Sequence, residues 1–138
     1  MKHTIELNWI NKMAFETEVN GHKLILDASD EVGGEDRGPR PKQLMLVALA
    51  GCTGMDVISI LKKMRVEPEY FNVRVEGDVS MEHPKKYETM KITYEFKGQN
   101  LDMDKIKKAV SLSEEKYCGV RAVYDKAIKM SSEIVILD

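Results

Sequence analysis

The sequence contains few of the residues that build metal centres or disulfide scaffolds. Its 138 residues include two cysteines and three histidines, and the histidines are too far apart to form a metal-binding motif. Two distant cysteines are also too few for a disulfide scaffold or a cysteine-rich zinc site. We therefore expect no metal and no cofactor, and we expect any bond between the cysteines to be functional.

An excess of positive charge is also absent. The formal net charge is -2, and the lysines are spread along the chain. A protein that binds a phosphate backbone typically presents a basic surface, so nucleic acid is not an expected partner. The apolar share of 43% argues against disorder and is typical of a globular protein.

Targeting and membrane signals are missing as well. Residues 1–10 contain Glu6 and no continuous apolar run, so we expect neither a secretory signal nor an anchor there. The apolar segment 44–61 contains two glycines and Asp56, which favours a buried core helix over a membrane span. We expect one cytoplasmic domain covering residues 1–138, with no membrane partner.

The hydrophobic pattern predicts an α+β fold. Apolar and polar residues alternate with the period of half-buried strands in several segments, and other segments have helical spacing. The predicted strands lie within 3–19, 23–27, 70–81, 87–97 and 133–137, and the predicted helices cover 41 to about 65, a segment capped by Asp102 or Asp104, and 120–128. The predicted order is β-β-β-α-β-β-α-α-β.

The first predicted helix is unusually apolar. Residues 44–52 carry no charged or strongly polar side chain, so the helix has to be covered on most sides. One copy of the chain offers too few other elements to cover it. This predicts a stable homodimer.

Cys52 lies inside this helix, beside Gly51 and close to Gly54. A glycine in a helix interior costs about 1 kcal/mol relative to alanine, so the pair suggests that a packing helix or a substrate approaches the backbone closely. A plain buried cysteine, acting as a small apolar side chain, explains the same position.

Cys118 follows a predicted helix and precedes Gly119. In the first turn of the next helix, the free N–H groups and the helix dipole would favour its thiolate. A structural cysteine in an exposed loop fits the same sequence. Because Cys52 and Cys118 are the only cysteines, a shared role is more plausible than two separate ones, although their spacing does not prove contact.

Three motifs add a resemblance to these observations. The chain carries GPRP at 38–41, LMLVALAGC at 44–52 and EKYC at 115–118. These motifs, the element order and the interval between the cysteines resemble the OsmC/Ohr family of osmotically inducible and organic hydroperoxide resistance proteins. The chain looks most similar to a poorly characterised branch. The resemblance implies an intertwined homodimer, with long central cysteine-bearing helices wrapped by antiparallel β-sheets and an active site at the subunit interface.

The resemblance also implies a reaction. Cys52 would attack a hydroperoxide and become a sulfenic acid. In this family the hydroperoxide is an organic one. Cys118 would resolve this acid as a disulfide, and an external dithiol reductant would restore both thiols. The resemblance thus implies a thiol peroxidase that needs no cofactor.

The chain departs from the family at one position. Family members that reduce hydroperoxides carry a glutamate where this sequence has Lys42 or Gln43, and the glutamate helps to orient an arginine against the thiolate. Arg37 and Arg40 are the nearest candidates to replace this arginine in binding the substrate. A simple role as solvated loop residues is an equally good explanation for both. The missing carboxylate favours an alternative function, a non-catalytic dimer that senses redox state or binds a small apolar ligand. A further alternative is a purely structural interaction protein, which would need neither cysteine for its function.

Overall fold

The computed structural model describes residues 1–138 and contains two three-stranded sheets and three α-helices. The elements are β1 (Leu7–Asn11), β2 (Ala14–Val19), β3 (His22–Leu26), α1 (Leu44–Lys63), β4 (Tyr70–Val79), β5 (Tyr87–Lys97), α2 (Met103–Leu112), α3 (Gly119–Tyr124) and β6 (Lys129–Ile136). A short helical turn at Asp30–Val32 and a π-helical turn at Ser113–Tyr117 complete the structure. The α+β class predicted from the sequence is confirmed.

The chain divides into two compact units, Met1–Met45 and Leu46–Asp138, which we describe separately. In the first unit, β1, β2 and β3 form an antiparallel meander. The turn between β2 and β3 is Asn20-Gly21, and both residues have positive φ, as a tight hairpin turn requires. The single domain predicted for residues 1–138 stays a prediction.

In the second unit, β5 is the central strand of the sheet β4-β5-β6. It pairs antiparallel with β4 and parallel with β6, because α2 and α3 carry the chain back before β6 begins. Met90, Ile92, Tyr94 and Phe96 alternate along β5, so they share one face of the sheet, and all four are almost fully buried. The core of the unit is therefore built around β5.

Helix α1 is buried along one stripe only. Leu49, Val57 and Leu61 recur at multiples of four residues and are fully buried. On the other side, Val47 and Met55 are 62% and 74% exposed. A single chain thus leaves part of α1 uncovered, as expected from its composition. By length and composition alone α1 could also cross a membrane, a test that core helices of soluble proteins pass too.

The ends of α1 differ slightly from the predicted bounds. The helix begins at Leu44 instead of Pro41, because the carbonyls of Pro41 and Lys42 accept hydrogen bonds in a tight turn before it. It ends before Arg65, whose φ of 60° stops the helix. The N–H of Val66 then bonds to the carbonyl of Leu61 at 2.9 Å, as in a Schellman cap.

The C-terminal elements differ more. The predicted helix 120–128 is shorter in the structure, since α3 ends at Tyr124 and a turn follows. Strand β6 begins at Lys129 instead of residue 133 and pairs with β5 from Thr89 onward. Asp102 caps α2 by accepting hydrogen bonds from two backbone N–H groups, so the first of the two proposed caps is correct.

Candidate active site

The two cysteines lie side by side in the second unit. The sulphur atoms of Cys52 and Cys118 and a carboxylate oxygen of Asp56 all lie within 4.8 Å of one another. Both cysteines are free thiols, Cys52 half-buried and Cys118 only 3% exposed. The sequence could not show that the cysteines touch, and the structure brings their sulphurs together.

Helical spacing explains why Asp56 joins this cluster. Cys52 and Asp56 are four residues apart on α1, so they lie on the same face, one turn from each other. They border the buried stripe of α1 that contains Thr53, and each is half-buried. A role for Asp56 was not predicted from the sequence, although its spacing from Cys52 was a signal that pointed to it.

Cys118 is positioned by the turn that precedes it and the helix that follows. Its N–H bonds to the carbonyl of Ser113 at 2.7 Å, which closes the π-helical turn. Its sulphur is the N-cap of α3 and accepts a hydrogen bond from the N–H of Arg121 at 3.4 Å. The sulphur is therefore held by backbone geometry.

The environment of Cys118 opposes ionisation. Burial raises the pKa of its thiol to about 11; the Arg121 N–H counters this rise, whereas the thiol of Cys52 and the carboxylate of Asp56 add to it. The expectation that the helix start favours a Cys118 thiolate is therefore wrong, because burial and two neighbouring groups outweigh one N–H. Cys118 is a neutral thiol at physiological pH.

A chain of hydrogen bonds lies behind the cluster. Ser113 Oγ donates to Asp56 Oδ2 at 3.0 Å, and the same hydroxyl lies 2.7 Å from Thr53 Oγ1. Thr53 Oγ1 lies 2.9 Å from the hydroxyl of Tyr94, which donates to Glu114 Oε2 at 2.9 Å. Burial, as the largest cause, raises the pKa of Tyr94, so its hydroxyl keeps its proton. The chain links α1, β5 and the turn before Cys118.

Arg121 joins the far end of this chain to Cys118. Its guanidinium Nη1 lies 2.7 Å from Glu114 Oε2, and both side chains are 14% exposed. Its Nε lies 3.6 Å from a carboxylate oxygen of Asp125. Arg121 thus holds Glu114 with its side chain and Cys118 with its backbone. Sequence reasoning missed it, because its pairing with Glu114 depends on the π-helical turn, which was not predicted from the sequence.

The two predicted substrate-binding arginines lie in the first unit, in the loop before α1. The N–H of Arg37 donates to a carboxylate oxygen of Asp27 at 3.1 Å, and its side chain is exposed. The guanidinium of Arg40 pairs with the carboxylate of Asp36 and donates to the carbonyl of Gly38 at 3.0 Å. A role of Arg37 or Arg40 in binding substrate stays a prediction.

The two glycines near Cys52 have different surroundings. A Cβ atom built on Gly54 would lie 3.3 Å from the Val73 side chain, so close packing against β4 accounts for this glycine. A Cβ atom on Gly51 would meet nothing within 4 Å. Within a single chain, therefore, no neighbouring atom explains why residue 51 is a glycine.

The chain is similar to proteins of known sequence and structure. A family model described as OsmC-like protein matches residues 33–133. Protein YhfA of Escherichia coli (strain K12) is 29% identical over 126 residues, 91% of each chain. A hypothetical protein from Aquifex aeolicus VF5 has a TM-score of 0.82 and 30% identity, covering 100% of both chains. An organic hydroperoxide resistance protein OsmC from Legionella pneumophila has a TM-score of 0.66 at 16% identity, covering 96% of this chain and 97% of its own, a likeness of fold alone.

Proposed function

The chain belongs to the OsmC-like protein family, and from this premise we propose that it is a cysteine-dependent thiol peroxidase that reduces organic hydroperoxides. The observation that carries the proposal is the contact between one half-buried and one buried free thiol, with sulphurs within 4.8 Å. The substrate class follows the hydroperoxide resistance protein from Legionella that shares the fold.

In the proposed reaction, Cys52 is the sulphur that meets the peroxide, because it is the more accessible of the two thiols. As a thiolate it attacks the outer oxygen of the hydroperoxide, and the O–O bond breaks. The remaining alkoxide takes a proton and leaves as an alcohol. Cys52 is then a sulfenic acid.

Cys118 resolves this intermediate. Its sulphur attacks the Cys52 sulphur, the S–O bond breaks, and the oxygen leaves as water with the Cys118 proton and the sulfenic acid proton. The Asp56 carboxylate, which lies within the same 4.8 Å cluster, would accept the Cys118 proton during the attack and pass it to the leaving oxygen. An external dithiol then reduces the Cys52–Cys118 disulfide and is itself oxidised to a disulfide.

We also propose that the active protein is a homodimer. A second copy of the chain would cover the exposed side of α1, where Val47 and Met55 lie and where Gly51 leaves open space. Small and apolar residues on one helix face allow a second helix to approach closely. We place this activity in the cytoplasm, where thiol reductants are available, with no role for a membrane or a nucleic acid.

The non-catalytic alternative has one observation in its favour. Just before α1, Lys42 and Gln43 supply no carboxylate to orient an arginine, and the guanidinium of Arg40 is held by Asp36. A dimer without an oriented cation would form the disulfide on oxidation but turn over slowly. Such a protein would report redox state or hold an apolar ligand.

Turnover of cumene hydroperoxide with dithiothreitol distinguishes the two functions. We expect turnover in the native protein and none in C52S. In C118S treated with the peroxide in the absence of dithiothreitol, we expect an accumulated Cys52 sulfenic acid that dimedone traps. The S59A variant is the matched control, since Ser59 lies exposed on the same helix. Formation of the disulfide without turnover would favour the redox sensor, and peroxide reduction by C52S would exclude the proposed mechanism.

A further inference from the structure

Cys52, Asp56 and Cys118 bring together three metal-ligating atoms that the sequence keeps far apart. Their two sulphurs and one carboxylate oxygen lie within 4.8 Å of one another. In a tetrahedral zinc site, ligands at about 2.0–2.3 Å from the metal are roughly 3.5–3.8 Å from one another. Small rotations of the side chains would bring the three atoms to those separations.

We propose that this cluster is a reversible Zn²⁺ site, with the thiolates of Cys52 and Cys118 and the carboxylate of Asp56 as ligands. Two thiolates select a thiophilic ion over Mg²⁺ or Ca²⁺, which prefer oxygen ligands. Three protein ligands leave the fourth tetrahedral position open to water. Binding releases the two thiol protons to solvent.

Two hydrogen bonds already orient the ligands. Ser113 Oγ donates to Asp56 Oδ2 at 3.0 Å and leaves the other carboxylate oxygen available. The N–H of Arg121 donates to the sulphur of Cys118 at 3.4 Å. Metal-binding carboxylates are typically hydrogen-bonded in this way, and loss of such an outer partner lowers metal affinity about 10–100-fold.

Helix geometry fixes the other two ligands relative to each other. Cys52 and Asp56 extend from consecutive turns of α1, within a helix whose neighbouring stripe is fully buried against the core. A helix of this kind is rigid, so binding a metal does not require a loop to become ordered. Only Cys118 comes from a separate element, and its backbone closes the π-helical turn.

The site makes metal binding and thiol oxidation compete for the same sulphurs. A sulphur bonded to zinc shares the electron pair that would attack a peroxide, and a disulfide has no thiolate to offer. Oxidation of the zinc form by a hydroperoxide would consume two protons and yield the disulfide, an alcohol, water and free Zn²⁺. Zinc would therefore occupy the reduced protein and leave on oxidation.

The test is a zinc titration of the reduced, tag-free full chain in competition with a chromophoric chelator. We expect one Zn²⁺ per chain, and Co²⁺ in its place should give a thiolate-to-cobalt charge-transfer band. The C52S and C118S variants should lose this band. Protein oxidised to the disulfide should bind neither ion.

Asp56 and its partner provide the sharper comparison. We expect D56N and S113A each to weaken zinc binding at least tenfold, and D104N, an exposed aspartate on α2, to leave it unchanged. Circular dichroism of each variant checks the fold. Native affinity in D56N, or a stoichiometry other than one per chain, would overturn the proposal. The titration measures no turnover, so its result is independent of the peroxidase function.

Discussion

The hydroxyl oxygens of Thr53 and Ser113 lie 2.7 Å apart, and both side chains are fully buried. Thr53 is the residue after Cys52 on α1, and Ser113 begins the turn that ends at Cys118. This single contact therefore joins the elements that carry the two thiols. A buried hydrogen bond between fixed elements holds them in register more firmly than apolar packing alone.

Replacing Thr53 by valine should loosen this connection. Thr53→Val keeps the shape of the side chain but leaves the hydroxyls of Ser113 and Tyr94 short of a partner, at a cost of about 1–3 kcal/mol in the free energy of unfolding. Disulfide formation between Cys52 and Cys118 should also slow. Urea unfolding and non-reducing peptide mapping measure the two effects.

The matched control is T93V, a buried threonine on β5 outside this chain of hydroxyls. If T93V and T53V change disulfide formation equally, the Thr53 hydroxyl does not align the thiols.

Sequence periodicity predicted most of the fold because most elements bury one face. The strands that alternate and the buried stripe of α1 have regular patterns, and Asp102 has the side chain that an N-cap needs. The predicted start of strand β6 is too late, because three of the four residues from Lys129 to Ser132 are polar. These residues are strand only because the parallel pairing with β5 extends that far, from Thr89 to Phe96.

The candidate site was predictable only in part. Both cysteines could be selected from the sequence, since each has a distinctive setting. Ser113 enters through a contact with a distant segment, which no local pattern records, whereas the spacing of Asp56 from Cys52 on α1 did point to it. The pKa of Cys118 could not be predicted either, because burial, the largest cause of its rise, depends on tertiary packing.

The exposed side of α1 provides a prediction about assembly. We expect light scattering at micromolar concentration to give twice the chain mass. The Met55→Glu variant should be monomeric, because a carboxylate placed on a covered apolar face has no partner there. Met81→Glu, at an exposed methionine in the turn between β4 and β5, should remain dimeric. A native protein of single chain mass would contradict the proposed interface.

The ionisation of Asp27, which precedes the loop before α1, predicts how the stability of the fold changes at low pH. Burial opposes ionisation of its carboxyl, but hydrogen bonds from the N–H groups of Ala28, Arg37 and Glu35 outweigh it and lower the pKa. A lowered pKa stabilises the fold above the pKa of the unfolded chain, and this contribution disappears as the pH falls through the folded value.

We therefore expect Asp27→Asn to destabilise the protein at neutral pH, and the difference from the native protein to shrink below about pH 4. Thermal unfolding followed across this range measures it. Glu31→Gln, at an exposed carboxylate in the same loop, is the control. A difference that stays constant with pH would show that the Asp27 charge contributes nothing.

The last prediction concerns the ionisation of Cys118. In the C52S variant it is the only thiol, so its titration can be followed by ultraviolet absorbance of the thiolate. Burial raises its pKa and remains when Cys52 is replaced, so we expect the midpoint to lie well above the ordinary value of about 8.5. D56N in the C52S background should lower the midpoint, because the carboxylate that opposes the thiolate is gone.

The same pKa makes the stability of the fold depend on pH. The raised pKa of Cys118 favours the folded state while the thiol is protonated, so its contribution to the free energy of unfolding is complete below about pH 8.5 and is lost as the pH rises toward 11. A midpoint at or below the ordinary value would show that the Arg121 N–H, not burial, controls this sulphur, and that Cys118 needs no proton acceptor when it attacks the sulfenic acid.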